Sequence, residues 1–255
     1  MVGGLAGILA GLLGVGGGIV VVPALLWLLP YSDIPDEQRM HVAVATSLVV
    51  MIPTAMASAW KHYQQKNLHW ATFSVLGVGI AVGSFVGVFL AGHSPRSQLE
   101  TLFGIFELII GLQLLRNVVN STVDTGKPEV SRTWELFTVG SGIGSLSSML
   151  GIGGGTMTVP YLNWRGFGIH RAIGTSAACG LIIAITGSAG FVFLNSSNEA
   201  ALLFGYVYFP AAIPIGLAST LCAGWGAKLG KRFSTLVLRR IMGLVLLLVG
   251  FKLLF

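Results

Sequence analysis

The sequence predicts an all-α polytopic membrane protein made of two inverted repeats, each a re-entrant half-helix hairpin with a Gly-x-Gly-Gly-Gly turn plus three transmembrane helices. Three observations carry this expectation. The first is composition. Of 255 residues, 54% are hydrophobic and only 9% charged, where a soluble domain carries about 25% charged residues. The mean hydropathy is +0.82, and a soluble chain so composed lacks the polar residues to cover its surface. The second is an internal repeat. The third is the placement of Lys and Arg among the loops.

The apolar runs cover residues 2–29, 41–60, 70–92, 99–115, 134–164, 172–194, 201–225 and 236–255. A spanning helix needs about 20 mostly apolar residues. The longest polar break, residues 116–133, divides the chain into a first repeat (1–119), a linker (120–132) and a second repeat (133–255). The opening "MVGGLAGILAG" has no basic residue ahead of its apolar run, so it reads as part of the fold and not as a cleaved signal peptide. Cys179 and Cys222 lie inside apolar runs without metal-type or Cys-x-x-Cys spacing, which predicts free buried thiols.

The repeat shows in three matches in the same order. "GVGGGIVVVP" (14–23) matches "GIGGGTMTVP" (151–160), "HVAVATS" (41–47) matches "HRAIGTS" (170–176), and the segment carrying Gly104 and Gly111 matches the one carrying Gly243 and Gly250. Such repeats are a usual construction of secondary transporters.

The net charge of +6 comes from Lys and Arg in short loops between apolar runs, where they set topology and do not mark a nucleic-acid partner. The loop after the first "ATS" helix carries Lys61 and Lys66, while the equivalent loop "NSSNEA" carries neither Lys nor Arg. The positive-inside rule then places these loops on opposite sides, which makes the repeat inverted. It also places the linker (Arg116, Lys127, Arg132) and "RGFGIHR" (Arg165, Arg171) on one side, so residues 134–164 cross an even number of times. Each side of the glycine run is about a dozen residues, too short to span. Residues 2–29 and 134–164 therefore read as hairpins turning at "GVGGG" and "GIGGG". A continuous kinked helix with a parallel repeat is the alternative, and it fits the charges less well.

Backbone bent at membrane depth is tolerated where protein buries it or water reaches it. A helix that begins after such a turn points free N–H groups and its positive dipole end at the turn. Two such N-termini meeting make an anion site. The candidate binding backbone is Gly16, Gly17 and Gly18 in the first repeat and Gly153, Gly154 and Gly155 in the second. Neutral hydroxyl donors are added by Thr46 and Ser47, Thr175 and Ser176, and Thr156, whose first-repeat partner is Ile19. Packing of glycines and self-bonding of hydroxyls are the competing readings. No Lys-Ser/Thr follows the glycines and no β-α-β pattern surrounds them, which excludes a nucleotide P-loop. His41, His170 and Arg171, at helix starts, are candidates for an electropositive entrance or for interfacial anchors. Glu107 lies mid-run, where an acid is a functional candidate by default, here for coupling; its second-half counterpart is Leu246.

The duplicated glycine motif with its following proline, together with "H-x-A-x-x-T-S" at the next helix start, resembles the TauE/SafE family of sulfite exporters over essentially the whole chain. The resemblance implies a multi-pass permease of the bacterial inner membrane that moves sulfite or a related sulfur-containing anion outward. It maps the family signature onto Gly14, Gly16, Gly17, Gly18 and Pro23, and onto Gly151, Gly153, Gly154, Gly155 and Pro160, with Thr46, Ser47, Thr175 and Ser176 as its helix-start hydroxyls. A passive anion channel and a carrier for another small organic anion are the alternatives. No Ser-His-Asp set, HExxH or His/Cys cluster is present, so neither catalysis nor a metal or other cofactor is expected. The expected partners are a small inorganic or organosulfur anion and the lipid bilayer.

Overall fold

Backbone amides in an apolar run have no water to bond, so such runs fold as helices that pair their own N–H and C=O groups. The computed structural model describes residues 18–116, 132–194, 203–229 and 235–254, with side chains outside 222–239. In chain order the helices are α1 (Gly18–Leu28), α2 (Arg39–Gln64), α3 (Trp70–His93), α4 (Arg96–Leu115), α5 (Thr133–Leu150), α6 (Gly155–Trp164), α7 (Ile169–Leu194), α8 (Phe209–Leu229) and α9 (Thr235–Leu254). A short antiparallel hairpin, β1 (Leu203–Phe204) with β2 (Val207–Tyr208), precedes α8 and turns at Gly205, whose φ is 63°. The segment Asp36–Gln64 and the helices α3, α4 and α7 are long and apolar enough to cross a membrane. Exposed Trp27 and Tyr31 at one end, and Trp60, Tyr63, Trp70, Trp134 and Trp164 at the other, mark two aromatic belts.

The tightest packing is between α3 and α5. A Cβ added at Gly79, Gly83 or Gly87 would run into the backbone of Phe137, Ser141 or Ser145 respectively, so the two helices run parallel with backbones in contact. From the facing side, Gly140 and Gly144 press on Leu76 and Ile80. This is small-xxx-small packing, written in the sequence as "GVGIAVGSFVG". The helices α3 and α7 are also parallel: Gly77 meets Ile182, Val88 meets Gly190 and Gly92 meets Leu194.

The helices α4 and α9 run antiparallel. A Cβ at Gly104 would lie 3.1 Å from the Gly250 carbonyl oxygen, and one at Gly250 would lie 2.9 Å from that of Gly104. Gly111 and Gly243 stand in the same reciprocal relation, at 2.9 Å each way. Since the repeat matches Gly104 to Gly243 and Gly111 to Gly250, each glycine touches the repeat partner of the other.

The chain reverses between α5 and α6. Gly151 has φ 66° and ends α5 in a Schellman motif, with Ile152 N–H donating to the Ser147 carbonyl at 3.0 Å and Gly151 N–H to that of Ser148 at 3.4 Å. At the far end of α6, Arg165 forms an ion pair with Glu135 in the first turn of α5 and lies over the Trp164 ring, 5.3 Å from its centroid. The two arms are unequal. α5 has 18 residues and α6 has 10, about 27 and 15 Å of helix. The expectation of a dozen residues on each side is corrected accordingly: the apolar run before the glycines continues as unbroken helix to Leu150, and the turn is off-centre. Pro160 sits inside α6 as Pro23 sits inside α1, each depriving its helix of one backbone bond.

Charges divide between the ends. The end where α3, α5 and α7 begin carries Lys61, Lys66, Arg165 and Arg171 against Glu135. At the other end Arg39 and Arg96 are met by Asp36 and Glu100.

Candidate functional site

Gly18, the last glycine of the first run, meets the second run. Gly18, the first residue of α1, packs on the Gly151 carbonyl, and a Cβ there would lie 3.1 Å from Ile152 Cα and 2.6 Å from Met51 Sδ. No side chain larger than hydrogen fits. Gly151 in turn packs on Val22 and on the backbone of Val44, each 3.0 Å from a notional Cβ. The start of α1 is thus held against the turn from which α6 starts. α6 presents its N-terminus there, with first-turn N–H groups that lack an intrahelical partner. Gly153 and Gly154 are buried in the turn and Gly155 opens α6. Gly14, Gly16 and Gly17 lie outside the described residues.

The hydroxyls divide into two sets. Thr175 Oγ1 accepts the backbone N–H of His69, just before α3, at 3.2 Å, and Thr46 Oγ1 accepts that of Tyr208, just before α8, at 3.1 Å. Each threonine therefore caps the approach to a helix of the other repeat. Ser47 Oγ donates to the Gly151 carbonyl at 2.9 Å and ties α2 to the turn. Thr46→Val and Thr175→Val are each expected to cost about 1 kcal/mol by stranding a backbone N–H. Urea unfolding of the purified protein in detergent checks this, and a wild-type midpoint in both would sink it.

Ser176, by contrast, is buried and its Oγ has no partner among the described residues. The same holds for two hydroxyls that sequence reading passed over, Ser147 in the last turn of α5 and Thr158 in the first turns of α6. Their signal was position alone: each stands within a turn or so of the glycines. Thr156 is half-buried, and its Oγ1 lies 3.5 Å from the Gly153 carbonyl.

His41 is not an entrance residue. It is buried, its Nε2 bonds the carbonyls of Ala91 at 3.0 Å and Ser94 at 3.2 Å, and its ring stacks on Tyr206 at 5.2 Å. It fastens the start of α2 to the end of α3. His170 and Arg171 are exposed at the opposite end. His69 caps α3 by accepting the Thr72 N–H on Nδ1. Burial first, and then the charge of Arg171, hold its pKa below the ordinary value, which keeps that nitrogen available as an acceptor. Cys179 is free and buried, as expected of a packing thiol; the Cys222 side chain lies outside the described set.

Glu107 is 0% exposed, and neither carboxyl oxygen has a hydrogen-bond partner among the described residues. It stands on α4 between Gly104 and Gly111, the two glycines that contact α9, and belongs to a different helix pair from the glycine turns.

The family model described as "Sulfite exporter TauE/SafE" matches residues 1–253. The chain belongs to the TauE/SafE family. Similar curated proteins carry the name "Probable membrane transporter protein". The one from Haemophilus influenzae is 32% identical over 98% of this chain and 94% of its own length. MJ0441 of Methanocaldococcus jannaschii is 27% identical over 98% of this chain and 92% of its own, and YunE of Bacillus subtilis is 27% identical over 100% and 96%. No solved structure matches the chain. The chain is thus a multi-pass transmembrane protein of a transporter family. Among the described residues of this TauE/SafE chain, no group of three or more His, Cys, Asp or Glu is placed to hold a metal ion. The residues seen against the second glycine turn (Gly18, Val22, Val44, Ser47, Gly180 and Ile183) carry no charge. Chemically, the arrangement offers oriented N–H dipoles and neutral hydroxyls, a donor set suited to an anion that must also be released.

Proposed function

We propose that the chain exports a small sulfur-containing anion, such as sulfite or a sulfonate, across the bacterial inner membrane by alternating access of two inverted repeats. The observation that carries this reading is the meeting of the glycine runs, with Gly18 at the start of α1 packed on Gly151 and Ile152 in the turn before α6. Two half-helix N-termini then converge within the membrane and make an uncharged anion site of backbone N–H groups. The inverted arrangement, residues 1–119 against 133–255, is supported by the reciprocal glycine contacts of α4 with α9. Equivalent helices that pack antiparallel through exchanged partners are related by an axis perpendicular to both, which turns one repeat upside down relative to the other. The crossed caps of Thr46 and Thr175 follow the same exchange. The hairpin of α5 and α6 is re-entrant on this reading, and the end carrying Lys61, Lys66, Arg165 and Arg171 faces the cytoplasm. Glu107 is the candidate coupling residue, since an acid in a spanning helix without a partner among the described residues is a functional candidate by default; a structural acid is the alternative.

Counterflow in proteoliposomes tests the function. Vesicles loaded with sulfite and offered labelled sulfite outside are expected to show saturable exchange. Thiosulfate, methanesulfonate, sulfate and acetate, added in turn, rank the substrates. Non-saturating flux with an anion conductance in the same vesicles would replace the carrier with a channel.

A further inference from the structure

We propose that, where the two helix starts meet, the anion is held mainly by the second repeat, by the N-terminus of α6 with Thr158 and Ser176 beside Gly180, and that this site takes a singly charged oxyanion. The inference rests on the transport reading above and adds where the anion sits and what charge it bears.

Three pairs of equivalent positions differ between the repeats, and all three differences favour the second. By the alignment of "ATSLVVM" with "GTSAACG", Met51 corresponds to Gly180; by the glycine motif, Val21 corresponds to Thr158. Met51 fills its side, with its Sδ 2.6 Å from a notional Cβ on Gly18 at the start of α1. Gly180 carries no side chain, and a Cβ there would stand in ordinary contact with the Gly154 amide nitrogen, at 3.8 Å. The backbone of α7 at Gly180 therefore lies against the N-cap residue of α6, with no side chain between them. Thr158 is 0% exposed, and its Oγ1 lies 3.2 Å from where a Gly154 Cβ would stand, over that same N-cap. Ser176, 2% exposed, stands one helical turn before Gly180 on α7. Neither hydroxyl has a partner among the described residues, whereas Ser47, the first-repeat equivalent of Ser176, is occupied by the Gly151 carbonyl. Val21 offers no donor at all. The second repeat thus has two buried hydroxyl donors without a partner among the described residues beside the start of α6, where the first repeat has a thioether and a valine.

The charge class follows from the donors. The cost of taking an ion out of water rises with the square of its charge, while its attraction to fixed dipoles rises only in proportion. Neutral donors therefore hold a monoanion, such as hydrogen sulfite or a short sulfonate, in preference to a dianion.

The test uses the full-length chain in the sulfite counterflow assay. Thr158→Val and Ser176→Ala, which remove one hydroxyl each with little change of shape, are expected to weaken apparent sulfite affinity about tenfold or more. Gly180→Met, which copies the first repeat, is expected to abolish exchange. Thr186→Val, on the same helix but with its hydroxyl bonded to the Ile182 carbonyl at 2.7 Å, is expected to match wild type. Methanesulfonate competes and sulfate does not. Wild-type affinity in Thr158→Val and Ser176→Ala, or sulfate competing as well as methanesulfonate, overturns the proposal while leaving the transporter intact. Absence of exchange in the wild type overturns the transport reading itself.

Discussion

Gly83→Ala is expected to destabilise the protein by about 3 kcal/mol or more, an overpacking cost at the upper end of what core insertions produce. The added methyl would overlap the Ser141 backbone at the centre of the α3–α5 crossing, with Gly79 and Gly87 pressed on α5 a turn to either side. Backbone cannot step aside as a side chain can, so the two helices would have to separate along their length. Both helices leave from the same end of the molecule, and α3 also packs on α7, so separation opens the core around the second glycine turn. The matched control is Gly142→Ala on α5, where a Cβ meets nothing within 4 Å. There the change is expected to be neutral or to stabilise by up to about 1 kcal/mol through helix propensity. Unfolding in mixed micelles of both variants decides it. Equal midpoints would show that the parallel crossing does not carry the fold.

Glu107→Leu, which installs the residue found at the equivalent position of the second repeat, is expected to raise stability by about 1–3 kcal/mol, since a buried polar group without a partner among the described residues is replaced by one that needs none. Leu246 shows that the opposing helix accepts this side chain at the matching place. If Glu107 carries a coupling proton, the same variant and Glu107→Gln transport without response to a pH gradient. The two readouts separate the roles. A more stable protein with unchanged gradient dependence makes Glu107 a structural acid; a stable protein that has lost the dependence assigns it to coupling. A large loss of stability in Glu107→Leu would mean that the carboxyl has a partner in the folded state, and the coupling argument would fall with it.

Much of the architecture is legible without coordinates. The helices at 39–64, 70–93, 96–115 and 169–194 follow from apolar runs bounded by Pro, Gly and charge, and the reversal at Gly151 follows from loop charges that demand an even number of crossings. The turn chemistry was also readable: only glycine adopts φ near 66° cheaply at the end of a helix. Other features were not. The α3–α5 interface is written as glycines four apart, but a glycine stripe names no partner, and α4 carries glycines that pack on α9 instead. The arms of the hairpin were expected to be equal, because hydropathy shows where a run lies and not how far its helix continues before the glycines.

The hydroxyls show where sequence reading stops. Thr46, Ser47, Thr175 and Ser176 stand in matching motifs and looked alike as anion donors. In the fold two of them cap helices of the other repeat, one is bonded to the turn, and one is without a partner among the described residues. The sequence offers His41 as an entrance residue or an interfacial anchor, and in the fold it is a buried fastener. The sequence by itself determined that this chain lies in a membrane, that it carries its motifs twice, and that its backbone reverses at the second glycine run, because burial of apolar groups and the dihedral freedom of glycine act within a segment. The tertiary structure alone decided which of these hydroxyls are spent on the fold, because a hydrogen bond depends on a partner that the chain brings in from as far away as the other repeat.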